Sequence, residues 1–180
     1  MASREIDLGG GTTLDIQADP EAFTIAIKGY IDDKTNFDEA VSSIERFIGK
    51  VAPEIRVNMR NMKGLDPKGI SNWINFVTLL EGIKPLNFIN TNYAIIKFAS
   101  VVPGIFGKNE SKVTNLDLPY YCQTCEEDQT KNMNLEDIKN DGITFEVPEL
   151  KCRTCKRSSE FAALPDEFFF PFSVKAKKSA

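Results

Sequence analysis

The chain has 180 residues, with 22 lysines and arginines against 26 aspartates and glutamates, a formal net charge of −4. That balance lacks the positive excess that neutralising nucleic-acid phosphates requires. Histidine is absent, which closes Ser/His/Asp and Cys/His nucleophile activation and every histidine-containing metal site.

Hydrophobic residues make up 42% and charged residues 27%, including 13 phenylalanines, which is the composition of an ordinary globular chain with enough apolar bulk for a core. Cutting after Glu110 leaves 12 basic against 14 acidic residues before it and 10 against 12 after it, so neither part is basic. The lysines at 175, 177 and 178 read as a short solvated tail. No stretch of about 18 apolar residues suggests a membrane span. The first eleven residues carry Arg4, Glu5 and Asp7 and no apolar run, so they do not read as a secretory signal. The expectation is a cytoplasmic protein whose thiols stay reduced.

In chain order, Thr13 to Ala18 and Phe23 to Lys28 read as two strands. Phe23, Ile25 and Ile27 alternate with polar or small residues, and Asp19-Pro20 between the strands is turn chemistry for a hairpin. A helix follows, capped by Thr35 or Asn36. Phe37, Val41, Ile44 and Ile48 form its apolar stripe, and it ends near Gly49. Ile55, Val57 and Met59 alternate as a third strand. Asp66 is an N-cap and Pro67 suits the first position of a helix running to Glu81, closed by Gly82, with Ile70, Trp73, Val77 and Leu80 inward. Pro85 to Ile89 reads as a fourth strand. Asn90 or Thr91 caps a third helix carrying Tyr93, Ile95, Ile96, Ala99 and Val102, stopped by Pro103-Gly104. Strands alternating with helices imply an α/β sheet whose later strands are parallel.

That order, with Gly29-Tyr30-Ile31-Asp32 after the second strand and Leu65-Asp66-Pro67-Lys68-Gly69-Ile70 opening the middle helix, resembles the STAS domain of anti-sigma factor antagonists and sulfate-transporter tails over residues 12–106. The resemblance implies a four-stranded sheet with flanking helices that serves as a docking platform for a protein partner: a kinase-like anti-sigma factor, a sigma regulator or a transporter component. It also implies a Ser or Thr just before the Gly, phosphorylated by a partner kinase. Here Lys68 stands in that place and Pro67 replaces the other hydroxyl, so phosphorylation does not transfer, although a docking surface around Lys68 does. Ser71, one turn on, is a weak candidate for a displaced site. Asp32 and Asp66 complete the candidate partner-binding set, although a strand-ending turn and a helix cap account for them locally. Two carboxylates with no base and no metal partner give little reason to expect catalysis.

From Gly107 to Thr114 the sequence turns polar and reads as a connection. The expected organisation is a STAS-like domain over 1–110, a linker over 111–118 and a small β-rich module over 119–180. Within the last, Cys122-Gln123-Thr124-Cys125 and Cys152-Arg153-Thr154-Cys155 are separated by 26 residues. Each C-x-x-C pair brings two thiolates to one tight turn, and two facing turns supply the four sulfurs of a tetrahedral zinc site. The interval exceeds the usual ~15–20 residues. Asn132 to Asp137 is expected to absorb the excess as a loop or short helical turn. Disulfides and a thioredoxin-like pair suit the compartment and context poorly. An iron–sulfur cluster stays open, because spacing alone does not separate it from zinc.

Lys151, Arg153, Lys156 and Arg157 are placed to offset the local charge of −2 that four thiolates leave around Zn²⁺, or are simply solvated. Glu126 and Lys156 stand where a glycine often follows the second cysteine of such a turn. Gly142 to Val147 reads as a strand. Phe161 to Ala163 and Phe168 to Phe172 are expected to supply the apolar surface beneath the metal. The region 118–172, with its Tyr-Tyr-Cys-x-x-Cys and phenylalanine cluster, is similar to the ribbon tails of bacterial STAS proteins, which implies a structural zinc. The sequence thus points to a non-enzymatic protein-interaction regulator. A nucleic-acid-binding ribbon and a redox- or metal-sensing protein are the alternatives.

Overall fold

The computed structural model describes residues 2–18, 23–48, 53–108 and 111–173. The expected turn at Asp19-Pro20, the helix end at Gly49 and the lysine tail lie outside them. The chain is mixed α/β, with two sheets and four helices among the described residues.

The first sheet has six strands rather than four, in the order β1 (Ala2–Gly9), β2 (Thr12–Ala18), β3 (Phe23–Ile31), β4 (Ile55–Leu65), β5 (Leu86–Ile89) and β6 (Lys112–Val113). The first three are antiparallel, and β3 to β6 run parallel. The added edge strand β1 looks polar, yet Ile6 and Leu8 point into the core while Glu5 and Asp7 face water. Gly9, Gly10 and Gly11 all take positive φ, 84°, 61° and 78°, in the turn that folds β1 back on β2. The other added strand, β6, lies inside the segment 111–118 expected as a linker. The remainder of that segment begins β7 (Asn115–Cys122).

Helix α1 (Asp38–Ile48) lies against β1 and β2, and α2 (Pro67–Glu81) against β3 and β4. Asn36 receives the Asp38 N–H at 2.8 Å, a cap at the expected place. Asp66 caps α2 by accepting the Gly69 N–H at 2.6 Å. Gly82 ends α2 with φ −68°, so no left-handed glycine cap is involved; its N–H reaches the Thr78 and Leu79 carbonyls instead. The core between these layers is aromatic. Phe37 stacks on Phe76 at 4.2 Å, and the fully buried Trp73 donates its indole N–H to the Ile105 carbonyl at 2.9 Å.

Helix α3 (Tyr93–Ala99) is capped by Asn92, not Asn90 or Thr91. Asn90 is left-handed (φ 52°) and Thr91 pairs with Leu116. The Asn92 side chain accepts the Ile95 N–H, and its amide donates to the carbonyls of Met59, Arg60 and Met62 on β4. Consecutive residues of α3 then serve different cores: Ile95 joins that of the first sheet and Ile96 that of the second. Successive helical positions are about 100° apart, so one short helix faces both.

The second sheet has the order β8 (Glu127–Asn134), β7, β10 (Ser158–Phe161), β9 (Leu150–Lys151), with α4 (Pro165–Phe169) packed over it. The expected helical turn is a short 3-10 segment at Leu135–Asp137, but Asn132 to Asn134 belong to β8. The expected strand over 142–147 is absent. Asp141 accepts the N–H groups of Ile143 and Thr144 at 2.8 and 2.7 Å, a side-chain turn that breaks the ladder, and only Asn140 pairs with Phe145. The two halves meet directly through the Phe106–Phe172 stack at 5.9 Å and the Arg60–Asp117 ion pair at 3.4 Å.

Candidate metal centre

Strand β7 alternates Leu116, Leu118, Tyr120 and Cys122 inward, all fully buried. The same period that builds the core therefore delivers the first cysteine at the strand's end. Strand β8 returns antiparallel, with Cys122 opposite Glu127, leaving residues 123–126 as a tight turn. The hairpin β9–β10 repeats this around Cys152 and Cys155. Because β10 pairs with β7 through Glu160 and Tyr121, both turns sit at one end of the sheet.

The turns face each other. The Cys122 and Cys155 sulfurs are 3.6 Å apart, those of Cys125 and Cys152 3.8 Å, and all four lie within 4.8 Å of one another. A disulfide needs about 2.05 Å, so these are free thiols. A tetrahedron with metal–sulfur bonds of about 2.3 Å has edges of about 3.8 Å. The four sulfurs thus form a site of the size and ligand set for one metal ion. Cys122 and Cys152 are buried; Cys125 and Cys155 are partly exposed.

The backbone is arranged around sulfur as well. The Cys155 N–H, followed by that of Thr154, favours the Cys152 thiolate and lowers its pKa to about 6, with the Cys122 and Gln129 side chains acting in the same direction. Cys125 is pushed up to about 12, first by its hydrogen bond with Cys155 and then by burial. Without a metal, negative charge gathers on Cys152 and a proton is held at Cys125; a cation in the centre removes the need for that proton.

Glu126 and Lys156, which the sequence offers in place of glycine, nevertheless take left-handed conformations with φ 55° and 63°. The turn geometry is therefore kept without glycine. Lys156 N–H reaches the Cys152 carbonyl at 3.0 Å, and Cys152 N–H the Arg157 carbonyl at 2.7 Å. Of the four cations expected beside the site, Arg157 bridges to the Thr124 hydroxyl on the other turn at 3.3 Å. Lys156 folds back on the Arg153 carbonyl at 2.8 Å, Arg153 reaches the Thr130 carbonyl at 3.5 Å, and Lys151 is exposed. Phe168 and Phe169 fill the core beneath the sheet, Phe161 and Phe172 are partly buried, and Phe170 is exposed.

Sequence reasoning missed Gln129, whose side-chain carbonyl accepts the Arg153 N–H at 3.1 Å, and Glu127, which receives the Thr154 hydroxyl at 3.0 Å. Their positions directly across from Tyr120 and Cys122 become visible only once β7 and β8 are in register.

The second set of candidate residues gathers where β3 ends and α2 begins. Asp32 accepts the Lys34 N–H and the Thr35 hydroxyl, and Asp66 is occupied in capping α2. Both carboxylates hold local structure. Lys68 is exposed, 3.4 Å from Asp33, and Ser71 is exposed one turn further on. Gly69 lets α2 approach β3: a Cβ there would lie 2.0 Å from the Ile31 carbonyl oxygen. Asn72 stitches the same corner by donating to the carbonyls of Asp32 and Thr35.

No known protein family, curated protein or solved structure matches the chain. Among the described residues no helix is long and apolar enough to cross a membrane.

Proposed function

We propose that the chain is a non-enzymatic, cytoplasmic protein-interaction regulator, with its α/β half as a STAS-like docking platform and its second half stapled by one zinc ion on Cys122, Cys125, Cys152 and Cys155. The observation that carries the metal reading is the sulfur geometry: edges of 3.6 and 3.8 Å between two facing turns. Zinc suits four thiolates because it has no electronic preference against a tetrahedron, and a site closed by four protein ligands leaves no open position for substrate. Bound there, it supplies a crosslink between two hairpins. A β-rich half of about 60 residues needs such a staple.

The docking half of the proposal rests on the loop from Asp66 to Ser71. With Asp32 and Asp66 spent on local hydrogen bonds, the exposed Lys68 and its neighbour Asp33 are the groups left to meet a partner such as a kinase-like anti-sigma factor, a sigma regulator or a transporter component. Lysine at this place makes the surface one that a Ser/Thr kinase does not switch. Affinity capture with the wild type and with Lys68→Glu tests this. The reading expects the variant to lose a partner; identical partners at identical yield would place the docking surface elsewhere.

One observation favours a second reading, redox or metal sensing. Cys125 and Cys155 are partly exposed, so oxidants and chelators reach half of the ligand set.

A further inference from the structure

Gln129 lies on β8 directly opposite Tyr120, on the face of the sheet that carries Tyr120 and Cys122. Its side-chain carbonyl is fixed by the Arg153 N–H at 3.1 Å, and Arg153 is the residue next to Cys152. Its amide nitrogen is shut off from water and has no partner of ordinary hydrogen-bond geometry. A buried N–H without an acceptor has lost its water with nothing in exchange, so a native structure normally gives one an explanation. The acceptor the site offers is the Cys152 sulfur, one residue before Arg153 in the turn that the Gln129 carbonyl already holds. A metal-bound thiolate carries more charge than a thiol and accepts the N–H correspondingly better.

We infer that Gln129 is a positioning residue of the metal centre: its amide N–H donates to the Cys152 sulfur while its carbonyl anchors the second cysteine turn through the Arg153 N–H. One side chain on β8 therefore holds the opposite hairpin in place and sets how strongly Cys152 donates to the metal. The assignment rests on the tetrathiolate reading. Outer partners of this kind typically change metal affinity by about 10–100-fold.

The test uses the full chain loaded with Co²⁺, a coloured stand-in for zinc, together with chelator competition for zinc itself. Gln129→Met removes both hydrogen bonds. Gln129→Glu keeps an acceptor for the Arg153 N–H but removes the donor and adds a negative charge beside four thiolates. Losing an N–H···S bond raises the energy of the sulfur electrons, so the thiolate-to-cobalt charge-transfer band moves to longer wavelength in both variants. Zinc affinity falls about tenfold or more in Gln129→Met and further in Gln129→Glu. A merely structural role would leave the band in place. Bands and affinities within about twofold of wild type in both variants would overturn the assignment. Wild type that takes up no cobalt would overturn the tetrathiolate reading and this assignment with it, a result distinct from wild type that binds while the variants match it. Should Gln129→Met misfold by circular dichroism, Gln129→Glu carries the comparison.

Discussion

Glu126 and Lys156 occupy equivalent places: each follows the second cysteine of its turn, and each is held in the left-handed region, at φ 55° and 63°. A side chain there costs about 1–2 kcal/mol, and the turn accepts it to aim two sulfurs at one point.

A glycine at position 156 removes that cost but gives the unfolded chain more freedom, worth about 0.4–1 kcal/mol. Lys156→Gly is therefore expected to be equal to wild type or up to about 1 kcal/mol more stable. Lys156→Val, β-branched, should be about 1–2 kcal/mol less stable. Thermal melts of the metal-loaded proteins rank them. A valine variant that melts with wild type would mean the left-handed turn is not maintained.

Gly69 marks the closest approach of α2 to β3. Alanine there gains about 1 kcal/mol in helix propensity, but its Cβ would meet a backbone oxygen at 2.0 Å, and backbone cannot rotate away. The contact wins, and Gly69→Ala is expected to lose about 1–3 kcal/mol in denaturant titration while keeping its full metal content. An unchanged midpoint would contradict the packing described for this corner.

Trp73 is the only tryptophan, buried in the first core and bonded to the Ile105 carbonyl. Chelation, or Cys122→Ser, should raise hydrogen exchange in β7, β8 and β10 while the Trp73 emission stays at its buried wavelength. Because Ile96 on α3 belongs to the second core, exchange should rise in α3 as well. If the emission moved to that of exposed tryptophan in step with metal loss, the halves would form one cooperative unit.

The metal-free protein should be more stable at pH 9 than at pH 6. Cys152 has a folded pKa of about 6 against an ordinary 9.0, so its stabilisation is complete above 9 and is lost as pH falls through 6. Cys125, raised to about 12, contributes below 9 and loses its contribution only as pH rises through 12, so it leaves this window level. Denaturation midpoints of chelated protein at the two pH values check the sign. Equal midpoints would contradict a thiolate held at Cys152.

The sequence displayed the parts whose periodicity matches their environment. Helix α2 was legible to the residue at its start, because Asp66 and Pro67 mark a cap and a first turn that nothing in the tertiary fold overrides. The cysteine turns were legible because their chemistry is local. The edge strands were not: β1 sets Arg4, Glu5 and Asp7 around the inward Ile6 and Leu8, and β8 is polar on both faces from Glu127 to Thr130, because Glu127 and Gln129, opposite Cys122 and Tyr120, bond to the second cysteine turn. The alternation at Ile143, Phe145 and Val147 misled, since Asp141 captures the neighbouring N–H groups before a strand can form. The polar run at 107–114 suggested a linker over 111–118, whereas Asp117 is buried against Arg60 and Asn132 as part of the join between the halves.

Metal analysis of the chain purified without chelator tests the central claim most directly. One zinc per chain, with all four thiols protected from a thiol reagent until zinc is withdrawn, is the predicted result. Metal-free material whose four thiols react at once would contradict it.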